Sequence, residues 1–311
     1  MSKIIVVGSY VVDLMSRTPH LPKPGETVLG GPFQMGPGGK GGNQATAAAR
    51  CGSDVTFISK LGNDVFGREA LQHFTNENIG IEFMIVDPEM ATGAALIAVD
   101  DRGENSIVVA LGACGTITEE DVLAAEKRMK EADVVLLQLE TSIDAVVTTV
   151  KLAKKYDVPV ILNPAPFQEF PRGILGDVAF ITPNETEASE LSGIEVKDEG
   201  SALQAARIIH EMGVGTVIIT LGSKGAFLYQ GGEKGELIQG FKVEAVDTTG
   251  AGDAFNGGFA HALSNGFPVK EAIAFAHSVA ALSVTKIGTA RAMPTKQEIE
   301  AFLAVAGVDK A

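Results

Sequence analysis

Tryptophan is absent from the sequence and tyrosine occurs only three times, which weighs against an aromatic platform on which sugars or single-stranded nucleic acid could stack. Cysteine is almost as scarce. Cys51 and Cys114 cannot build a disulfide framework, and they read as small buried apolar residues of a chain kept in a reducing cytosol. No stretch approaches the ~18 consecutive apolar residues of a membrane span. The opening run Ile4–Val7 is too short for the core of a signal peptide, and no small-residue cleavage pattern follows it. Positive charge is in deficit, with 25 Lys and Arg against 39 Asp and Glu and a formal net charge of −14. A broad nucleic-acid surface is excluded, because phosphate neutralisation needs a basic face. A small anion held by a few local donors is not. His20, His73, His210 and His261 lack the spacing of metal ligands. The expectation is a soluble, cytoplasmic, globular protein with no nucleic-acid or membrane partner.

Apolar side chains are plentiful, at 45% of 311 residues. Short apolar runs at Ile4–Gly8, Val55–Lys60, Asp133–Leu139, Val158–Leu162, Val178–Ile181 and Thr216–Thr220 alternate with helical segments at Asn43–Arg50, Gly67–Glu77, Ser142–Lys155 and Ala202–Glu211. Continuous apolar strands separated by helices predict an α/β core whose mainly parallel sheet is covered on both faces. Two stretches break the rhythm. Residues 10–40 are rich in Pro and Gly, with short extended pieces such as Glu26–Leu29, and residues 92–110 read as a hairpin turning at Asp100–Gly103. Together they predict a small β-rich lid at one edge of a single domain spanning 1–311. The open edges of such a sheet need cover, which lid pairing in a homodimer would supply.

The strongest chemical signal is Asp247–Gly258, DTTGAGDAFNGG. Phe255, Phe259, Ala262 and Leu263 recur at helical spacing, so Gly250, Ala251, Gly252 and Asp253 fall at a helix N-terminus. Unpaired amides and the positive end of the dipole favour an anion there. An aspartate beside a phosphate can take the proton of an attacking hydroxyl. The plainer alternative is Asp253 as an N-cap. Neither GxxxxGK[ST] nor a GxGxxG after the first strand occurs, which sets aside a Walker loop and a dinucleotide fingerprint. Gly38–Asn43 precedes a helix beginning near Gln44 and reads, on residues alone, as a phosphate cradle; Lys40 there reads equally as a solvated surface lysine. On residues alone, Glu140 reads as the N-terminal charge of the next helix. Asn184–Glu187 reads as a capping box, Thr220–Gly225 as a tight turn, and His277 as a packed histidine of the helix Lys270–Lys286.

GPGGKGGNQA at Gly36–Ala45, taken with DTTGAGDAFNGG, resembles the paired signatures of the ribokinase family of sugar kinases. LLQLE at Leu136–Glu140, NPAP at Asn163–Pro166, TPNETE at Thr182–Glu187 and TLGSKG at Thr220–Gly225 follow in that family's order. The resemblance implies a three-layer ribokinase-like fold with a lid, and ATP-dependent phosphorylation of the 5-hydroxyl of D-ribose to D-ribose 5-phosphate. It implies Asp253 as catalytic base and Gly250, Ala251 and Gly252 as the anion hole. It assigns Val11, Asp13, Gly39, Lys40, Asn43, Glu140 and Asp253 to the sugar rather than to a phosphate. Asn184, Thr220, Gly222, Ser223, Gly225, Gly252 and His277 would bind ATP. Glu187 would organise Mg²⁺ through water. Asp247, Thr249, Ser283, Lys286 and Gly288 would hold K⁺, mostly through carbonyls.

Two positions depart from the resemblance. Ala292 stands where relatives usually carry a serine that completes the K⁺ site. Val11 stands where ribose-specific relatives usually carry asparagine and deoxyribose-specific ones an apolar residue. The alternatives are therefore a 2-deoxy-D-ribose kinase, another sugar or nucleoside kinase of the same fold, and a non-catalytic sugar or nucleotide sensor. A sensor is expected to lose the base or the anion hole, and both are present.

Overall fold

β-branched and leucine-rich runs form the centre of the molecule. In the computed structural model, which describes residues 1–306, the first half of the chain runs β1 (Lys3–Val7), β2 (Val11–Thr18), β3 (Phe33–Gly38), α1 (Lys40–Cys51), β4 (Asp54–Gly62), α2 (Val65–Asn76), β5 (Met84–Asp87), β6 (Thr92–Asp100), β7 (Asn105–Gly112), α3 (Glu119–Leu123), α4 (Glu126–Met129), β8 (Val134–Gln138) and α5 (Ile143–Lys155). It continues with β9 (Val160–Asn163), β10 (Phe180–Ile181), α6 (Glu185–Ser192), α7 (Glu199–Glu211), β11 (Thr216–Thr220), β12 (Ala226–Tyr229), β13 (Glu236–Ile238), α8 (Ala251–Ser264), α9 (Val269–Ser283) and α10 (Lys296–Val305). Of the single domain expected over 1–311, residues 307–311 lie outside the described residues.

Among the described residues, nine strands form one sheet in the order β13-β12-β11-β10-β9-β8-β1-β4-β5. Pairing is parallel from β5 to β11 and antiparallel through β12 and β13. The pleat sorts β1 cleanly. Ile4 and Val6 pack with residues of α1, α2, α8 and α9, while Ile5 and Val7 pack with residues of α3, α5 and α7. Three layers follow, as the uninterrupted apolar strands predict.

A second sheet of order β3-β2-β6-β7 is built from the two stretches that broke the α/β rhythm. The β6–β7 hairpin is antiparallel, whereas β2 lies parallel to β6. Glu26–Leu29 is not a strand. The Glu26 amide closes a turn onto the Lys23 carbonyl at 2.9 Å, and the extended pairing falls to Phe33–Gly38 instead. The first helix also differs from expectation: it begins at Lys40 rather than near Gln44. Gly41 and Gly42 are helical because this turn packs against the end of β1, where the Gly42 amide donates to the Ser9 carbonyl at 2.9 Å. Helix α9 stops at Ser283, short of Lys286.

Glycine sets how closely two helices approach beneath the sheet's carboxyl edge. A Cβ on Gly257 of α8 would lie 2.5 Å from the Cβ of Ala47 and 2.7 Å from the carbonyl of Gln44 on α1. No larger residue fits there without moving a helix. This contact brings the first turns of α1 and α8 side by side.

Candidate active site

From β1 the chain builds β4 and β5 on one side, then returns to lay β8 on the other. The boundary between β1 and β8 is a topological switch point, where the crevice beyond the strand ends is free to take a ligand. Ser9 follows β1 and Glu140 follows β8, and the Ser9 hydroxyl donates to the Glu140 carboxylate. The same Glu140 oxygen accepts the Lys40 backbone amide at 2.8 Å. Glu140 is buried and does not cap α5; Ser142 does, accepting the Ala145 amide at 3.2 Å. Gly39 precedes α1, and its carbonyl takes the Asn43 amide at 2.9 Å.

Asp253 comes from the first turn of α8. It is not the N-cap. That position belongs to Gly250, whose φ of 78° is left-handed and which makes no side-chain cap bond. Glycine populates this region without the Cβ penalty of other residues. The Ala251 amide donates to the Thr248 carbonyl at 3.2 Å, while the amides of Gly250 and Gly252, two of the three residues expected to form the anion hole, have no partner among the described residues. Asp253 instead turns its buried carboxylate onto α1. Asn43 Nδ2 donates to Oδ2 at 2.9 Å and Gln44 Nε2 donates to Oδ1 at 2.9 Å.

Four charged groups face Asp253: Lys40, Glu140, Glu187 and Asp13. Burial pushes the Asp253 pKa above its ordinary value, against the opposing pull of Lys40, Gln44 and Asn43. Burial alone would pull Lys40 down, but the carboxylates of Asp253, Glu140 and Glu187 outweigh it and hold the ammonium charged. Lys40 is thus no solvated surface lysine. Asp13, half-buried on β2, is pushed up to about 6 by desolvation, with the charges of Glu140 and Asp253 adding to the rise.

The adjoining surface is polar. Asn184 caps α6 by accepting the Glu187 amide at 2.8 Å, and Glu187 returns both carboxylate oxygens, to the Asn184 backbone amide at 2.9 Å and to its side-chain amide at 3.0 Å. The capping box occupies one lone pair on each oxygen and leaves room for a water-mediated Mg²⁺ contact, a cation that keeps its waters. Among the described residues, no cluster of His, Cys, Asp and Glu would bind a metal directly. Thr220 bridges to Asn184 across the sheet edge, its amide donating to the Pro183 carbonyl at 2.9 Å. Gly222 and Ser223 are exposed on the following turn, and Gly225 packs against the backbone of Ile238–Gly240. His277 lies near the same stretch, in contact with the Gln239 backbone, and its ring centroid lies 5.4 Å from that of Phe255. Burial lowers its pKa to about 4, so the ring is neutral.

The segments 246–249 and 283–289 come together. Val246 and Asp247 donate their amides to the Val284 carbonyl at 2.7 and 3.1 Å. Asp247 Oδ1 accepts the Thr249 amide at 2.9 Å and Oδ2 the Gly288 amide at 3.0 Å. Carboxylate and carbonyl oxygens on a pinned loop suit a hard cation. Two members of the expected set point elsewhere. The Ser283 hydroxyl donates to the Ala280 carbonyl at 2.8 Å, and the Lys286 amine pairs with Glu298 at 2.6 Å; only their backbone carbonyls could serve. Ala292 is buried.

Val11 is 2% exposed and packs with Ala95 and Cys114 under the second sheet. Cys51 and Cys114 are inert here, both thiols raised by burial to about 12. Sequence reasoning missed Ser9, Gln44, Gln138, Asn163, Thr182, Asn256 and Thr289. All but Ser9 and Thr289 lie within the family-like motifs, but motif order does not say which member turns inward.

The pfkB family carbohydrate kinase profile matches residues 1–296. The chain is 45% identical over 300 residues to a ribokinase of Haemophilus influenzae, covering 96% of this chain and 98% of that one. It is 36% identical over 303 residues to a deoxyribokinase of Salmonella typhi, covering 97% of this chain and 99% of that one. The solved structure of Arabidopsis thaliana ribokinase complexed with ribose and ATP matches with a TM-score of 0.90 at 31% identity, covering 97% of this chain and 99% of that chain.

Proposed function

Because the chain belongs to the pfkB family of carbohydrate kinases, we propose that it transfers the γ-phosphoryl group of ATP to the 5-hydroxyl of D-ribose, giving D-ribose 5-phosphate. The observation that carries this reading is the buried Asp253 carboxylate at the first turn of α8, held by Asn43 and Gln44 beside the open amides of Gly250 and Gly252. Asp253 takes the hydroxyl proton as the oxygen attacks. The α8 N-terminus faces the transferring phosphoryl group, where fixed donors stabilise developing charge without reorganising. Asp13, Gly39, Lys40, Asn43 and Glu140 orient the sugar. Asn184 and the Thr220–Gly225 turn lie along the nucleotide, with His277 at its base. Glu187 would hold Mg²⁺ through water, and the metal supplies charge neutralisation on the phosphates when bound. Asp247, Thr249 and Gly288, with the Ser283 and Lys286 carbonyls, would hold K⁺ and stiffen the loop that ends in Gly250.

The second sheet serves as the lid, closing over the sugar to exclude water and suppress ATP hydrolysis. Leu96 on β6 and Ile107, Val108 and Val109 on β7 are exposed, and β7 is an unpaired edge of the sheet that lid pairing in a homodimer covers. Among the described residues no helix is long and apolar enough to cross a membrane, consistent with a cytoplasmic enzyme. A phosphorylation panel of ribose, 2-deoxyribose, fructose and adenosine, with and without K⁺, tests the reading. Phosphorylation of adenosine or fructose in preference to both pentoses overturns it.

A second reading, 2-deoxyribose as the better substrate, rests on Val11. It opens strand β2 with an apolar side chain, at a position where a polar one could reach a 2-hydroxyl.

A further inference from the structure

The site residues do not exhaust the polar groups beneath the reaction centre. Gln44 Nε2 donates both to Asp253 Oδ1 and, at 3.0 Å, to Asn163 Oδ1. Gln138 Nε2 donates to Gln44 Oε1 at 2.7 Å. Asn163 Nδ2 donates to the Thr182 carbonyl at 3.0 Å, and the Thr182 hydroxyl donates to Asn256 Oδ1 at 2.6 Å. Asn256 Nδ2 then donates to the Gly252 carbonyl at 2.8 Å. Gln44, Gln138, Asn163, Thr182 and Asn256 are all buried.

The direction of this chain is forced by chemistry. An ionised carboxylate only accepts, so Gln44 must aim its amide nitrogen at Asp253. Its carbonyl then faces away and needs a donor, which Gln138 provides. Gln138 in turn is left with a buried Oε1 that has no partner. The unsatisfied group thus sits two residues from the carboxylate rather than on it. Leaving a buried polar group unpaired carries a desolvation cost that a plain apolar core would not.

We propose that Gln44, oriented by Gln138 and Asn163, is a positioning residue that aims the Asp253 carboxylate and couples it through Thr182 and Asn256 to the anion-hole glycine Gly252. The network joins base and anion hole into one rigid unit, so the proton acceptor and the phosphoryl donors keep a fixed separation. It touches no substrate. Its members come from β8, β9, α1, α8 and the residue after β10, which explains why the chain carries buried amides in otherwise apolar motifs.

This inference rests on Asp253 being the base, and the test separates the two ideas. The readouts are kcat, the sugar KM and the acid limb of kcat/KM for Gln44→Leu, Gln44→Glu, Gln138→Leu and Asp253→Asn. Asp253 is also faced by Lys40, Glu140, Glu187 and Asp13, and these stay unchanged in every variant. Gln44→Leu removes a donor from the carboxylate. Its kcat is expected to fall about 10–100-fold with little change in sugar KM, and its acid limb to move to higher pH. Gln44→Glu sets a second carboxyl against Asp253 and moves the limb further. Gln138→Leu, which does not touch Asp253, gives a smaller shift of the same sign and serves if the Gln44 variants fail to fold. A purely structural role lowers thermal stability and leaves the limb where it was, which overturns the proposal. An active Asp253→Asn overturns the base assignment itself, and the positioning role with it.

Discussion

The Thr289 hydroxyl lies 2.9 Å from Asp13 Oδ2 and 3.0 Å from the Pro37 carbonyl. It ties the proposed sugar-binding strand to the loop that follows Gly288. A shift of the proposed cation loop therefore reaches Asp13 directly, and Asp13 itself sits in a strained electrostatic position.

Asp13→Asn is expected to stabilise the unliganded protein near neutrality. Desolvation raises the folded-state pKa from 3.8 to about 6, so ionising Asp13 costs the folded state more than the unfolded one. That cost is absent below the unfolded pKa, grows as pH rises through about 6, and is complete above it. For a half-buried carboxyl it is about 1–2 kcal/mol, or a rise of about 2–8 °C in Tm for the variant. Differential scanning fluorimetry near neutrality and near pH ~4 checks this. A gain of equal size at both pH values contradicts it. Sugar affinity falls in the same variant.

Asp253→Asn is expected to lower kcat by about 10²–10⁴-fold, the usual range for a lost general base, with a far smaller change in sugar dissociation constant. The fold survives, because Asp253 does not cap α8, and Asn43 has an unpartnered Oδ1 that can turn to accept the new amide. In the wild type, activity falls as pH drops through the raised Asp253 pKa, so its acid limb lies above the ordinary aspartate range. Steady-state kinetics with isothermal titration of the sugar separates the two effects.

Replacing Na⁺ by K⁺ is expected to raise activity, modestly, because Ala292 offers no hydroxyl. Asp247→Ala removes the acceptor of both the Thr249 and Gly288 amides. Losing these charge-assisted bonds slackens the loop before Gly250 and lowers kcat about tenfold or more. The K⁺ response disappears with it. A variant that keeps the wild-type ratio of activity in K⁺ to activity in Na⁺ shows that the cation acts elsewhere.

Val11 is expected to make the enzyme permissive, using 2-deoxyribose at least comparably to ribose. A site that hydrogen-bonds a hydroxyl rejects the analogue lacking it by up to ~10⁴, whereas an apolar pocket rejects an added hydroxyl by only ~10². Val11→Asn shifts kcat/KM towards ribose, and Val11→Thr tests the same point with less buried polarity. A folded variant with an unchanged ratio means that Val11, packed against Ala95 and Cys114, never meets the sugar.

Local pattern was enough for much of the architecture. Apolar runs such as Asp133–Leu139 can be satisfied only inside a sheet covered on both faces, and the spacing of Phe255 and Phe259 announces a helix after the Gly-rich turn. The capping box of Asn184 and Glu187 was equally legible, since both partners lie within one turn. The limits of α1 were not. Gly41 and Gly42 are poor helix formers, and only the approach of Ser9 makes them helical.

The sequence by itself determined the α/β layers, the helix N-terminus that carries Gly250–Asp253 and the kinase-like residues at the strand ends, because periodicity and caps act over a few residues. Only the tertiary structure decided what those residues meet. Gln44 reaches Asp253 across a separation of 209 residues and Thr289 reaches Asp13 across 276. Such pairs depend on strand order, on the switch point between β1 and β8, and on the close α1–α8 contact at Gly257. None of these leaves a mark within a single local window of the chain.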